Sequence, residues 1–215
     1  MKSNPFGILF SPENLIKNPE GIKELTYENL EKAVMKNNPG LDREYLRKVF
    51  DFSKKTHQGQ ERDEGTPYFA HPFRVAIYLA KRMKVADERI IAAALLHDVL
   101  EDSAEVCRED VAGMFGEDVA DYVQMMSKRD DVEKEERKRL YRKQIKEAPR
   151  IVKMIKLADR IDNISSVHLS PRPDKISRYI KGTTEFYLPL ARKNFPEMAE
   201  DMERILGKLR EDFIV

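Results

Sequence analysis

An apolar run that ends abruptly in acid constrains this chain most. Residues 90–96 (Ile-Ile-Ala-Ala-Ala-Leu-Leu) are its longest apolar stretch, and His97-Asp98-Val-Leu-Glu101-Asp102 follows at once. A segment apolar on almost every side fits the buried centre of a helical domain. The polar groups at its end fit no core unless something compensates them, because unpaired buried carboxylates are strongly disfavoured. Read as one helix over 87–101, the segment puts His97 and Glu101 on one face and Asp98 and Asp102 on the adjacent strip, all within roughly 140° of arc. A divalent cation and a water to be activated would satisfy such a set. A satisfied core histidine, followed by a helix emerging into solvent, would explain it without chemistry.

Helical periodicity extends along nearly the whole chain, with no period-two alternation and no Asn-Gly hairpin turn, so the fold class is all-α. A first helix is predicted over 20–36, ending at Asn-Asn-Pro-Gly, and a second over 42–57 with Leu46, Val49, Phe50 and Ser53 at helical spacing. A polar loop then leads to His71-Pro72. Pro72 suits the first position of a helix, which would leave His71 at the cap, its side chain pointing away. Val75, Ala76, Leu79 and Ala80 give that helix an apolar stripe. Further helices are expected near 104–115 and 117–126, with Gly116 as the break. Residues 130–147 carry Glu and Lys/Arg three and four apart, as on a solvated face, with a lid as the alternative. The C-terminal helices should break near Pro189 and Pro196. Met198, Met202, Ile205, Leu209 and Phe213 form one stripe there, for core or dimer packing.

A second loaded helix is predicted over 151–167. Val152, Ile155, Asp159, Asn163 and Ser166 recur at spacings of three and four, so one stripe turns from apolar to polar along its length. Asp159 lies at that transition. It is either a buried ligand carboxylate or the partner of a nearby Lys or Arg, and Arg160 points elsewhere, towards a carboxylate of its own. His and Asp ligands without thiolate indicate a borderline or hard divalent metal, Mn²⁺ or Fe²⁺ ahead of Zn²⁺. The zinc-finger, His-Glu-x-x-His, EF-hand, P-loop, Gly-x-Ser-x-Gly and Gly-x-Gly-x-x-Gly patterns are absent from the sequence. Metal-assisted hydrolysis is the natural reading. With 39 basic and 38 acidic residues the balance gives no global pull towards nucleic acid or membrane. No stretch approaches the ~20 apolar residues of a membrane span, and the N-terminus lacks the apolar core of a signal peptide. The single cysteine, Cys107, permits no intramolecular disulfide and suits a reducing cytoplasm.

Five segments occur in a telling order: His57-Gln-Gly-Gln-Glu-Arg62; Gly65-Thr-Pro67-Tyr68-Phe-Ala-His71-Pro72-Phe-Arg-Val75-Ala76; Ala-Ala-Leu-Leu-His97-Asp98-Val-Leu-Glu101-Asp102; Phe115-Gly116-Glu-Asp-Val119-Ala120; and Ile-Lys-Leu-Ala-Asp159-Arg160-Ile-Asp162-Asn163. Together they resemble the HD superfamily of metal-dependent phosphohydrolases, and within it the hydrolase domain of the RelA/SpoT family, which degrades the alarmones (p)ppGpp. The resemblance implies an HD-domain helical bundle, with an N-terminal helical extension over 1–40, a hydrolase core over 41–170 and C-terminal helices over 171–215 packed on the same domain. It implies His71, His97, Asp98 and Asp159 as metal ligands, with Mn²⁺ as the family's usual ion. Glu101 and Asp102 would position and deprotonate the attacking water. Arg62 would stack on the guanine base, Tyr68, Asn163 and Ser166 would line the nucleotide pocket, and Lys128 would support that region.

The chain departs from the family at Asp63, where Lys is common, and at Asp162, where His is common. Both changes put an acid near a polyanionic substrate. The expected activity is hydrolysis of the 3′-pyrophosphate of (p)ppGpp to GDP or GTP and pyrophosphate. Action on another nucleotide such as NADPH, and non-catalytic alarmone sensing, are the alternatives. The expected partner is a small-molecule nucleotide, with no nucleic acid and no membrane, and a homodimer remains open. The synthetase and regulatory domains of long family members do not fit in 215 residues, so a stand-alone cytoplasmic hydrolase is expected.

Overall fold

A computed structural model describes residues 24–128 and 131–213. Among them every regular element is helical, apart from one isolated β-bridge between Glu61 and Pro67. Helix α1 (Tyr27–Met35) starts at Thr26, whose hydroxyl accepts the Asn29 amide, and α2 (Arg43–Thr56) starts at Asp42, whose carboxylate accepts the Tyr45 amide. Helices α3 (Ala70–Lys81) and α4 (Glu88–Leu96) follow, the latter capped by Asp87. Then come α5 (Val99–Asp102), α6 (Arg108–Phe115), α7 (Glu117–Met126), α8 (Lys134–Glu147) and α9 (Arg150–Ser166). The C-terminal part holds α10 (Pro173–Gly182), a π-turn (Thr183–Tyr187), α11 (Leu188–Asn194) and α12 (Pro196–Phe213). Gly116 joins α6 to α7 with φ +100°, a left-handed conformation that glycine adopts without steric cost.

Helix α4 is the centre of the core. Every residue of 91–96 is sealed from solvent, and α2, α3, α7 and α9 pack around it. Helix α3 is buried from Ala70 to Ala80, polar residues included. Helix α12 packs on α9, so residues after 170 share a core with those before it. Its stripe is mainly core packing: Met198, Met202 and Leu209 are buried and Ile205 packs against them, while Phe213 is 37% exposed.

Four sequence expectations change. The helix expected over 87–101 is broken: α4 ends at Leu96 and α5 begins at Val99. His97 supplies a reason, because its Nδ1 donates to the Ala94 carbonyl at 2.8 Å. In a continuing helix that carbonyl would accept the Asp98 amide. His71 is not a cap. It is the second residue of α3, and Pro72 the third, where an amide still has no intrahelical partner to lose. Pro189 breaks nothing; the wider π-turn before it accommodates the missing amide, and the chain stays helical from 173 to 194. The helix expected near 104 starts only at Arg108, where Asp110 and Cys107 form a capping box. Residues 20–23 of the first expected helix, and residue 130 of the charged one, lie outside the described residues.

Candidate metal centre

Three helical segments converge on one point. Helix α3 brings His71, the end of α4 brings His97 and Asp98, and α9 brings Asp159. His71 Nε2 lies 3.1 Å from Asp159 Oδ1 and 3.5 Å from Asp98 Oδ2. His97 Nε2 lies 3.3 Å from Asp98 Oδ1 and 3.8 Å from Asp159 Oδ1. The two Nε2 atoms are 3.2 Å apart. On the far side of each ring, Nδ1 meets an acceptor: Asp162 Oδ2 at 2.6 Å for His71 and the Ala94 carbonyl at 2.8 Å for His97. In a neutral ring those acceptors put the proton on Nδ1, which would turn both Nε2 lone pairs towards an ion held between two carboxylates. Such a set is repulsive without a positive charge among it. Two nitrogens each about 2.1 Å from one ion, at an angle of roughly 100°, would be about 3.2 Å apart. The donor set and its spacing fit a divalent cation.

The electrostatics favour the same conclusion. Burial opposes ionisation of Asp98, but the His97 and His71 rings hold its carboxyl at about 2. Burial also opposes ionisation of Asp159, which Lys156 and the two rings keep well below the usual carboxylate range. Burial disfavours charge on the His97 ring, yet Asp98 and Asp159 override it and push the ring up to about 9. Lys156 Nζ sits 2.7 Å from Asp159 Oδ2, and the lysine is only 6% exposed. Asp159 is thus a member of the cluster and the partner of a lysine at once. The sequence offered a nearby Lys or Arg as the partner of Asp159 without singling out Lys156, although a lysine three residues before it, in the buried part of the helix, was the signal.

Asp162 and Arg74 were also missed as a pair. Arg74 donates to Asp162 through Nε at 2.5 Å and Nη2 at 2.9 Å, and both side chains are fully buried. An arginine inside the apolar helix α3 requires such a partner. Asp162 therefore lies behind His71 rather than towards a substrate. Asp63, the other departure, is exposed but ion-paired: Arg172 and Lys175 reach its carboxylate at 2.6 and 2.7 Å, and Ser170 at 3.1 Å.

The remaining expected site residues lie around this centre. The Tyr68 hydroxyl donates to Asp98 Oδ2 at 2.9 Å, and its ring stacks on His57. The Asn163 amide donates to Asp159 Oδ1 and accepts from Arg62 Nη2 at 3.0 Å. Arg62 also reaches Ser166 Oγ at 3.3 Å and pairs with Glu64 at 2.9 Å. Arg62, Asn163 and Asp159 thus form one hydrogen-bonded chain. The break between α4 and α5 replaces the single polar face expected from a continuous helix. His97 and Asp98 join the cluster, whereas Glu101 binds Lys128, accepting from its amide and its Nζ at 2.8 Å each. Burial and the neighbouring Asp98 charge raise the Asp102 carboxyl. Among the described residues Arg160 finds no carboxylate; it donates to Thr183 and to the Tyr179 carbonyl and lies against the Tyr179 and Tyr187 rings.

Comparison with known proteins gives consistent results. The model of the HD domain matches residues 50–194. The chain is 38% identical over 154 residues to the guanosine-3′,5′-bis(diphosphate) 3′-pyrophosphohydrolase of Aquifex aeolicus, covering 70% of this chain and 21% of that protein. It is 36% identical over 173 residues to the bifunctional (p)ppGpp synthase/hydrolase SpoT of Escherichia coli K12, covering 78% of this chain and 24% of that protein. The chain thus spans about a quarter or less of these curated relatives. Among solved structures, a metazoan ortholog of SpoT, described as hydrolysing ppGpp and acting in starvation responses, superposes with a TM-score of 0.70 at 27% identity. That match covers 76% of this chain and 94% of the other.

Proposed function

The chain belongs to the HD-domain family, and on that footing we propose that it is a metal-dependent phosphohydrolase acting on (p)ppGpp. It removes the 3′-pyrophosphate, giving GDP or GTP and pyrophosphate, and it works in the cytoplasm. The observation that carries the reading is the convergence of His71 and His97, Nε2 to Nε2 at 3.2 Å, between Asp98 and Asp159. The names of the relatives, 3′-pyrophosphohydrolases and a (p)ppGpp synthase/hydrolase, support the substrate class.

His71, His97, Asp98 and Asp159 would hold the ion, which we assign as Mn²⁺ because imidazole with carboxylate suits it. When bound, the ion supplies charge neutralisation at phosphate oxygens and a lowered water pKa. Asp102 takes a proton from the attacking water: its carboxyl lies above the ordinary range, which makes it a better base. Glu101, fixed by Lys128, orients that water. Arg62, held flat by Glu64, Asn163 and Ser166, offers its guanidinium plane to the guanine. Its link through Asn163 to Asp159 sets the distance between base and reacting phosphate, a contribution of orientation. Tyr68 steadies Asp98. Since Asp162 is buried behind His71 and Asp63 is ion-paired, neither presents a bare charge to a polyanion.

The test is pyrophosphate release from ppGpp by the purified chain in Mn²⁺ and in EDTA, beside pppGpp, NADPH and nucleoside monophosphates. Release that depends on Mn²⁺ and prefers the alarmones is expected. Phosphate release from NADPH alone would move the chain to the other nucleotide class. Tight ppGpp binding without turnover at saturating Mn²⁺ would make it a sensor.

A further inference from the structure

Behind the metal centre, one turn along both crossing helices, lies a second charged pair. His71 and Arg74 are three residues apart on α3, and Asp159 and Asp162 three apart on α9. The crossing therefore matches them in two layers, His71 with Asp159 and Arg74 with Asp162. Asp162 Oδ2 accepts from His71 Nδ1 at 2.6 Å and from Arg74 Nη2 at 2.9 Å, and Oδ1 accepts from Arg74 Nε at 2.5 Å. His71, Arg74 and Asp162 are each at most 1% exposed, so water does not compete for these bonds.

We infer that Asp162, clamped by Arg74, is a positioning residue for the metal site: it fixes the proton of His71 on Nδ1 and aims the Nε2 lone pair at the cation. The inference rests on the metal-centre reading. A ring that can rotate, or that carries its proton on Nε2, is a poor ligand, and the hydrogen bond on the distal nitrogen decides between these states. The two histidines solve this differently. His97 uses the main-chain carbonyl of Ala94, which follows from its place at a helix end. His71, in the first turn of α3, takes a carboxylate from the neighbouring helix. That carboxylate is charged and makes the ring a stronger donor. Arg74 locks both oxygens by a two-point contact, which leaves Oδ2 a single direction in which to accept from His71.

A merely structural clamp would hold the helices together without setting the ring. The discriminating variant is Arg74→Met with Asp162→Leu, which removes both charges together and leaves an apolar pair in their place. Two measurements apply: Mn²⁺ affinity by electron paramagnetic resonance, and the ¹⁵N spectrum of the His71 ring in the metal-free protein. Wild type should show His71 protonated on Nδ1. The double variant should show a mixture of ring forms and bind Mn²⁺ roughly 10–100-fold more weakly. A folded double variant with the wild-type ring signature and wild-type Mn²⁺ affinity would overturn the assignment. If the Leu variant does not fold, Arg74→Gln with Asp162→Asn replaces it. That pair keeps a neutral acceptor and should lose about three- to tenfold in affinity, and no loss there overturns the inference too. Should wild type bind no Mn²⁺, the metal-centre reading fails, while the ring spectrum still decides whether Asp162 fixes the tautomer.

Discussion

Replacing Lys156 by Met removes the cation beside Asp159 while leaving a side chain of similar length in the core. At the observed 2.7 Å the pair attracts by roughly 6 kcal/mol at an effective dielectric of about 20. Desolvation of two buried ions offsets much of that. Removing one partner nevertheless strands the other, and costs about 3–5 kcal/mol. For a chain of this size that corresponds to a fall in Tm of roughly 6–20 °C without metal. Adding Mn²⁺ should recover much of the loss, because a cation among His71, His97, Asp98 and Asp159 neutralises the carboxylate that Lys156 had neutralised. At a hundredfold excess over Kd the binding alone contributes about 2.7 kcal/mol, so wild type should gain roughly 5–11 °C and Lys156→Met more at the same Mn²⁺ concentration. Thermal unfolding followed by circular dichroism, in EDTA and in graded Mn²⁺, measures both effects. If Lys156→Met melts like wild type in EDTA, or gains no more than wild type from Mn²⁺, the shared neutralisation of Asp159 is wrong.

Asp98→Asn should abolish pyrophosphate release and weaken Mn²⁺ binding; full turnover in a metal-verified preparation would refute the ligand role. The Asp102 carboxyl lies above its ordinary range, so the proton acceptor is lost as pH falls through that raised value, and kcat/KM should show an acid limb that Asp102→Asn removes along with most of the rate. Asp63 is held at about 2, first by Lys175 and then by Arg172 against the effect of burial. Its folded pKa is depressed, so its stabilisation is present above the unfolded value near ~3.9 and disappears as pH falls through about 2. Asp63→Asn should flatten that part of an acid-unfolding curve. Asn163→Ala cuts the chain from Arg62 to Asp159; KM for ppGpp should rise and Mn²⁺ affinity fall, the latter by about tenfold or more, and unchanged values in both would detach Asn163 from the site.

The sequence by itself determined the helical class, the centrality of residues 90–96 and which segments carry chemistry, because periodicity and a polar set on an apolar segment are local properties. Spacing along a presumed continuous helix also led it astray. The His97–Ala94 bond, a side chain using a main-chain acceptor, breaks that helix and sends Glu101 to Lys128 instead of His97's face. Only the tertiary structure decided which distant groups compensate Asp162 and Asp63. Arg74 for Asp162, and Arg172 with Lys175 for Asp63, are pairings between side chains whose meeting depends on how helices cross and loops return, whereas Lys156 lies three residues from Asp159 on the same helix. Asp162 shows the difference most sharply. In the sequence it is an acid beside a presumed polyanion site; in the fold it faces the other way, against the back of a histidine. A one-dimensional pattern gives the identity and spacing of charges, but the field at each one is set by neighbours far away in the chain.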